Sequence, residues 1–473
     1  MRTTSVAPQD TVEKSLALAA EVGADGCVVI AQELSSANLR WAGNTLTTNG
    51  LIRSRMLTVI AIVEGAQGTS AGVVSRTRAS GEQVVAIVRS AVDAARGNEP
   101  AEDAAPLIEA AGDGLADATA SWADEPAETS MAVFSEVAPA LGTAFDSSRA
   151  AGRELFGFAE HDLTTTYLGS STGLRLRHVQ PSGRFELTGK SDGRSRSAWA
   201  GVASRDFADV DVAAVEAQVR RRLDWAARQV ELPPGRYETL LPPTAMADLM
   251  IYLYWSAAAR DAYDGRTVFS KPGGGTRVGE TLSPSPLWLH SDPGAAGLEC
   301  QPFVVAMASS AASSVFDNGL PLGPTDWIRD GQLRALLTTR HTAALTGLPV
   351  TPDIDNLLLE LPGATQSLDE MIAGTERGLL LNCLWYIREV DPQTLLLTGL
   401  TRDGVFLVEG GEVVAGVNNF RFNESPVDLL KRAAEVGAAE RTLPREWNDW
   451  FTRAAMPTVR VPDFNMSTPS PAS

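Results

Sequence analysis

Cysteine and histidine are scarce in this chain of 473 residues. Its three cysteines, Cys27, Cys300 and Cys383, lie far apart and form no CxxC pair, so the sequence predicts neither a disulfide framework nor a zinc ribbon. The four histidines include no pair at i, i+4 spacing, and no HExxH or HExxxH motif is present. This cysteine usage fits a reducing compartment, and we expect a cytoplasmic protein.

Basic residues are also in deficit, with 40 Lys and Arg against 58 Asp and Glu and a formal net charge of -18. Such a charge repels phosphate backbones and anionic lipid surfaces, so we expect no nucleic-acid and no membrane partner. No apolar run reaches membrane-spanning length. Glu13, Lys14 and Glu21 interrupt the N-terminal apolar pattern, which therefore predicts an amphipathic helix and not a secretion signal.

The length predicts two domains, and the patterning predicts an α+β fold. Residues 1–234 should form an N-terminal α+β domain, in which 98–129 is an acidic loop or linker. Pro233, Pro234 and Gly235 stop a helix predicted over 211–230, which sets the boundary. Residues 235–462 should form a β-rich C-terminal domain that carries one long helix. Residues 463–473 are rich in Ser and Pro and should be a disordered tail.

Within the first domain, segments 26–31, 37–43 and 53–65 are rich in β-branched residues and predict strands. Ser80 and Gln83 make a capping box before a helix whose apolar residues recur on one face. The alternation over 157–200, with turn residues between short runs, predicts an antiparallel meander.

No catalytic constellation can be identified from the residues alone. GSSTG (169–173) lacks the strand-turn-helix context of a nucleophile elbow and is predicted to be a turn. KPGGGTRVGE (271–280) lacks the phosphate-loop pattern and is predicted to be a mobile Gly-rich flap. Cys383 lies in an apolar run that predicts a buried strand and an inert thiol. We interpret the isolated histidines as structural residues; they are His161, His178, His290 and His341.

Three groups of segments, taken together, resemble the TldD/PmbA family, also called TldD/TldE. They are GADGCVVIAQELSSANLRWAGNTLTTNG with GTSAGVVS near the N-terminus, ADLMIYLYWSAAAR followed by DGRTVFSKPGGGTRVGE, and GEVVAGVNNFRFNESPVDLL near the C-terminus. They follow the family's order over nearly the whole chain, and NNFRFNESP is the most specific of them.

The resemblance implies a cytosolic zinc peptidase built from two related chains. The TldD-type chain carries HExxxH on a helix, where two imidazoles bind zinc and the Glu activates a water, and a Cys near the C-terminus completes the site. In this chain the three helix positions are Ile251, Tyr252 and Ser256, and no cysteine follows Cys383. We therefore expect a PmbA/TldE-type subunit without the zinc motif, inactive alone, with no cofactor of its own and with zinc in its partner.

The expected partner is a TldD-type catalytic subunit, the expected substrate is a flexible peptide, and the chain could form a homodimer when alone. Two alternatives remain open: a stand-alone peptide-binding or scaffold protein, and a hydrolase whose site is not recognised. The segment 417–426 combines many hydrogen-bonding groups with two Phe rings and is a candidate contact with the cleft or partner, against the alternative of a structural turn. Its polar candidates are Asn418, Asn419, Arg421, Asn423 and Glu424.

Overall fold

The computed structural model describes residues 7–79, 83–109 and 114–470, which contain two separate β-sheets. We call the parts of the chain built around them the N-terminal and the C-terminal domain. The N-terminal domain is built on one antiparallel sheet with the strand order β3-β2-β1-β4-β5-β6. Its strands are long, and the meander predicted over 157–200 forms the second half of the sheet. The strands are β1 (Gly26–Trp41), β2 (Leu46–Gly65), β3 (Gly68–Thr77), β4 (Glu154–Ser170), β5 (Arg175–Ser191) and β6 (Arg196–Ser204).

Helices α1 (Pro8–Glu21), α2 (Gln83–Gly97), α4 (Val137–Ala150) and α5 (Val212–Trp225) cover one face of this sheet. The short helix α3 (Ala116–Ala120) packs against the other face through Ala118. Every second residue of β1 points to one face, so Cys27 and Val29 pack with α1 and α2 while Val28 and Ile30 belong to a cluster on the other face. A Cβ on Gly72 of β3 would lie 2.1 Å from a backbone oxygen of α2, so a glycine is required there.

The apolar face predicted for α2 is buried as expected. Ser80, the first residue of the predicted capping box, lies outside the described residues. The helix predicted over 211–230 begins after Asp211, whose carboxylate accepts the Ala214 N–H at 3.0 Å, and it ends at Trp225. The chain then enters β7 of the second domain's sheet.

The C-terminal domain is β-rich, and its sheet contains twelve strands. Ten follow the order β11-β10-β9-β12-β18-β8-β13-β14-β15-β7; β16 pairs with β14 and β18, and β17 pairs with β18. The strands are β7 (Gln229–Val230), β8 (Gly235–Leu241), β9 (Trp288–Ser291), β10 (Thr325–Arg329), β11 (Gln332–Leu333), β12 (Leu357–Glu360), β13 (Arg377–Asp391), β14 (Leu396–Glu409), β15 (Glu412–Val417), β16 (Phe420–Glu424), β17 (Glu435–Thr442) and β18 (Ala454–Pro469).

One long helix crosses this domain, as predicted, and four short ones accompany it. The helices are α6 (Pro243–Trp255), α7 (Ala259–Tyr263), α8 (Arg340–Thr346), α9 (Leu368–Ala373) and α10 (Pro426–Arg432). The largest apolar cluster of the protein surrounds α6 and includes side chains of β13 and β18. The predicted α+β class, with a β-rich second domain, is therefore confirmed. None of the helices in the described part of the chain is long and apolar enough to cross a membrane.

The prediction of a disordered tail over 463–473 is wrong for the residues that the structure describes there. Strand β18 continues to Pro469 and pairs with β8 and β16. Phe464 and Met466 alternate along it and are completely buried. The burial of two large apolar side chains at alternate positions therefore favours a paired strand more strongly than the Ser/Pro-rich composition favours disorder. Residues 471–473 lie outside the described residues.

The acidic segment 98–129 lies within the first domain and does not join it to the second. Its described part contributes Leu115 and Ala118 to the core. It also contacts the C-terminal domain, because Glu102 pairs with Arg260 at 2.8 Å and Asp103 accepts the Ser314 hydroxyl at 2.6 Å. The segment is thus a surface excursion that helps to hold the two domains together.

Candidate functional site

Helix α6 is buried over nearly its whole length. Pro242 and Pro243 precede and begin it, in agreement with the preference for proline in the first helical turn. From Pro243 to Tyr254 only Tyr252 is not buried. The helix ends at Trp255, where the Ser256 hydroxyl donates a hydrogen bond to the Tyr252 carbonyl at 2.9 Å. This helix therefore serves as the central packing element of the C-terminal domain.

The three positions expected to correspond to a metal motif have separate structural roles. Ile251 is completely buried in the apolar core, and Tyr252 is half-buried with its ring 5.8 Å from that of Trp447. Ser256 caps the helix through its hydroxyl. None of these side chains is a nitrogen or carboxylate ligand for zinc. Within 7–79, 83–109 and 114–470, no group of three or more His, Cys, Asp or Glu side chains is placed to hold a metal ion. The residues here do not fit a zinc ion.

The C-terminal end of α6 instead contributes to a surface that we call the aromatic wall, formed by Tyr252, Trp255, Trp447, Trp450 and Phe451. The Trp255 ring packs at 5.2 Å from Trp447 and at 6.3 Å from Phe451. Trp255 is 40% exposed and Trp450 is 76% exposed. Edge-to-face packing against Trp255 holds the Trp447 and Phe451 rings in place, while much of the Trp255 and Trp450 side chains stays exposed.

Asp248 of α6 holds the segment that supplies Trp447 and Trp450. Its carboxylate Oδ1 accepts the Glu446 N–H at 2.9 Å, and its carbonyl accepts the Trp447 indole N–H at 2.8 Å. Burial raises the pKa of Asp248 well above its ordinary value, and the nearby Glu446 charge acts in the same direction. A carboxyl group that holds its proton more tightly than an exposed aspartate therefore lies beneath the aromatic wall.

A bulge in β13 adjoins the same segment. Tyr386 has a φ of 55°, in the left-handed region, and the pairing register shifts between Trp385 and Arg388. The Glu446 carboxylate accepts the N–H groups of Tyr386 at 2.9 Å and Ile387 at 3.0 Å. The Tyr386 ring is 53% exposed and lies 4.3 Å from the Arg388 guanidinium carbon. Bulges of this kind re-aim side chains at the edge of a site.

The candidate contacts in segment 417–426 are bonded within the C-terminal domain. Asn418 accepts the Leu232 N–H at 2.7 Å, Asn419 accepts the Thr401 hydroxyl at 3.2 Å, and Arg421 donates to the Thr398 hydroxyl at 3.2 Å. Asn423 pairs with Thr398 in the β14–β16 ladder.

Glu424 is buried and forms an ion pair with Arg432. Burial raises the pKa of Glu424, and the Arg432 charge opposes that effect. These contacts within the domain agree with the alternative interpretation of 417–426, which was a structural turn. Arg421 alone of the five is exposed, and the proposed partner contact remains a prediction.

Comparison with known proteins identifies the family. Residues 234–468 match the model of the PmbA/TldA metallopeptidase C-terminal domain. The chain belongs to the TldD/PmbA family. No curated protein sequence matches the chain.

Solved structures share the TldD/PmbA fold over almost the full length. TldE from Thermococcus kodakarensis superposes with a TM-score of 0.78 at 16% identity, covering 96% of this chain and 99% of that one. A protein from Thermotoga maritima described as a candidate modulator of DNA gyrase gives 0.73 at 16% identity, covering 97% and 99%. A similarly described protein from Bacteroides thetaiotaomicron gives 0.73 at 14% identity, covering 97% and 98%.

Elsewhere in this TldD/PmbA chain, the thiols are inert, as predicted for Cys383. All three cysteines are buried. Burial raises the pKa of Cys27 and of Cys300 to about 12, and it raises that of Cys383 further. A thiolate is required for nucleophilic attack or metal binding, so none of the three is poised for either role.

The histidines are dispersed and have local partners. His161 bonds to Thr129 at 2.6 Å, and burial lowers its pKa. His290 stacks on Trp288 with ring centroids 3.8 Å apart, and His341 lies 3.3 Å from an Arg260 nitrogen. His178 bonds to Gln180 at 3.2 Å. Their structural interpretation agrees with these contacts.

Proposed function

We propose that this chain is the metal-free, non-catalytic subunit of a heteromeric TldD/TldE-type zinc peptidase that acts on flexible peptides in the cytoplasm. One observation carries the proposal: the helix corresponding to the family's metal helix has Ile251, Tyr252 and Ser256 at the ligand positions and ends in the exposed aromatic wall. The zinc and the activated water belong to the TldD-type partner, and this chain supplies an aromatic surface beside them.

The aromatic wall is the proposed contact with the partner. Exposed Trp and Tyr side chains that are anchored by a packed inner layer are typical of interface hot spots. Trp450, at 76% exposure, has the most surface to bury on association. Polar groups at the edge, such as Arg388 and Glu389, can form the rim of the interface.

Co-purification with a TldD-type chain tests the proposal. Zinc content and peptidase activity are measured for each chain alone and for the mixture. We expect no stoichiometric zinc and no cleavage by this chain alone, and stimulated or altered cleavage by the mixture. One zinc per chain, or cleavage of a flexible peptide by this chain alone, would favour a hydrolase with an unrecognised site. Peptide binding without association would favour the scaffold alternative.

Variants of the aromatic wall test its contribution. We expect Trp255→Ala with Trp450→Ala to weaken pairing by about tenfold or more, in line with the loss of interface tryptophans. Leu345→Ala is the control, because Leu345 is 42% exposed on α8 and does not belong to the wall. Equal pairing of both variants would remove the wall from the interface.

A further inference from the structure

A second feature, separate from the aromatic wall, is a cavity of about 470 Å³ between the two domains. The N-terminal domain lines it with β6 and α5, and the C-terminal domain lines it with the start of α6, the segment before α9, and β17. Its volume falls within the range of small-molecule sites. A larger cavity beside α1 and β2 includes Arg53 and Arg55, but both of these arginines are paired with glutamates.

Arg222, in the last turn of α5, is the distinctive group of this interdomain cavity. Its Nη1 donates to the Trp199 carbonyl at 2.6 Å, and part of the side chain stays open to the cavity. In the described part of the chain it forms no ion pair. Burial lowers the pKa of Arg222, and the charge of neighbouring Arg221 acts in the same direction. A charge withdrawn from water without a counter-ion destabilises the folded state, so an anion would relieve this cost.

The other two arginines that line the cavity already have counter-ions. Arg221 pairs with Asp369 at 2.8 Å, and Arg441 pairs with Asp209 at 2.7 Å. The carboxyl of Glu440 also lines the cavity, and burial raises its pKa. One uncompensated cation beside a carboxyl group suits a monoanion better than a dianion such as phosphate, which Glu440 would repel.

The rest of the lining suits a small organic molecule. Gln366, Thr442 and Thr458, whose side chains carry hydrogen-bonding groups, also line the cavity, as does Trp199. We propose that this interdomain cavity binds a small organic carboxylate of about dipeptide size, whose carboxylate lies on the Arg222 guanidinium. This inference does not depend on pairing with a TldD-type chain.

Calorimetry on the full chain tests the inference with three probes: the dipeptide Ala-Phe, its C-terminal amide, and inorganic phosphate. We expect saturable binding of Ala-Phe within about 10 mM and at least about tenfold weaker binding of the amide, since a charge-assisted bond is lost. Binding should also raise the melting temperature, because the ligand contacts both domains. No saturable binding of Ala-Phe, equal binding of the amide, or tighter binding of phosphate would overturn the inference.

Two arginine variants locate the site. Arg222→Gln should weaken Ala-Phe binding by about tenfold or more while leaving the polar contact to Trp199 possible. Arg220→Gln is the matched control, because Arg220 is on the same helix and does not line the cavity. Unchanged binding by Arg222→Gln would refute the site. If that variant does not fold, the comparison of Ala-Phe with its amide on the unmodified protein still tests whether the ligand's carboxylate is recognised.

Discussion

At the residue scale, one carboxylate holds the strained turn beside the aromatic wall. Glu446 accepts two backbone N–H groups, from Tyr386 and Ile387, and Tyr386 has the left-handed φ of 55°. Two bonds to a charged acceptor exceed the cost of one such φ. We therefore expect Glu446→Ala to lower the free energy of unfolding by about 2 kcal/mol or more in urea denaturation.

Glu409→Ala is the control for that measurement. Glu409 lies on β14, where it is exposed and pairs with Arg377 at 3.4 Å. Exposed ion pairs contribute little, so this variant should change stability by less than about 0.5 kcal/mol. Equal losses in the two variants would mean that the bulge does not depend on Glu446.

Asp248 gives a second prediction at this scale, because its charge is disfavoured in the folded protein. Burial raises the pKa of Asp248 well above 3.8, and Oδ2 has no hydrogen-bond partner among the described residues. The folded state then holds the proton more tightly than the unfolded chain does. This group's contribution to stability is present below pH 3.8 and is lost as the pH rises toward the folded pKa.

Asp248→Asn keeps an acceptor for the Glu446 N–H and removes the charge. We expect it to be more stable than the unmodified protein at pH 8, with a smaller difference near pH 4. Urea midpoints at the two pH values measure this. A variant less stable than the unmodified protein at pH 8 would show that the ionised carboxylate is the stabilising form.

At the scale of elements, the end of β18 is predicted to be essential for the C-terminal sheet. Phe464 is completely buried where β18 pairs with β8, and its ring lies 5.8 Å from Phe422. We expect Phe464→Ala to cost about 3–5 kcal/mol, the range for buried Phe truncation. Thr468→Ala, at an exposed position of the same strand, should be nearly neutral. Similar unfolding midpoints for both variants would contradict a structural role for this segment.

The elements that sequence alone predicted are those with a local signal. The α2 face and the 157–200 meander follow from periodicity, and both are present. The end of β18 was missed because its partners, β8 and β16, are distant in sequence. The alternation of Phe464 and Met466 was the available signal.

The candidate site likewise combines one feature that the sequence predicts with another that it does not. The loss of metal-binding side chains is visible in one helix, whereas the aromatic wall is assembled from α6 and the segment before β18. That assembly depends on Asp248, whose bonds to Glu446 and Trp447 join residues about 200 positions apart. No local pattern marks such a contact.

At the scale of the whole molecule, the N-terminal domain supports the segment that carries the wall. Arg184 of β5 donates to Asn448 at 2.6 Å, and the Ser182 and Thr452 hydroxyls are 2.9 Å apart. Arg445 lies 3.3 Å from Glu186. The wall therefore rests on both domains, and a change that loosens the domain interface should also loosen the wall.

His178 of β5 provides the means to test that coupling by pH. Burial lowers its pKa from 6.5 to about 4, and the positive charges of Arg453, Arg177 and Arg205 act in the same direction. Arg453 belongs to the C-terminal domain, and Gln180, which bonds to His178, also donates to the Glu299 carbonyl at 3.2 Å. The folded protein therefore favours neutral His178 at the domain interface.

Because the folded pKa lies below the unfolded value, the unfolded chain binds the proton first as the pH falls. Stability from this group is complete above pH 6.5 and is lost between pH 6.5 and about 4, by up to about 3 kcal/mol. The unfolding free energy is measured at pH 7.5 and at pH 4.5 for both proteins. We expect the decrease between these pH values to be smaller in His178→Gln, because the contribution of His178 to the loss of stability is removed. Tryptophan fluorescence of the wall should change over the same range in the unmodified protein. Identical pH dependence in the variant would show that His178 does not link protonation to the domain interface.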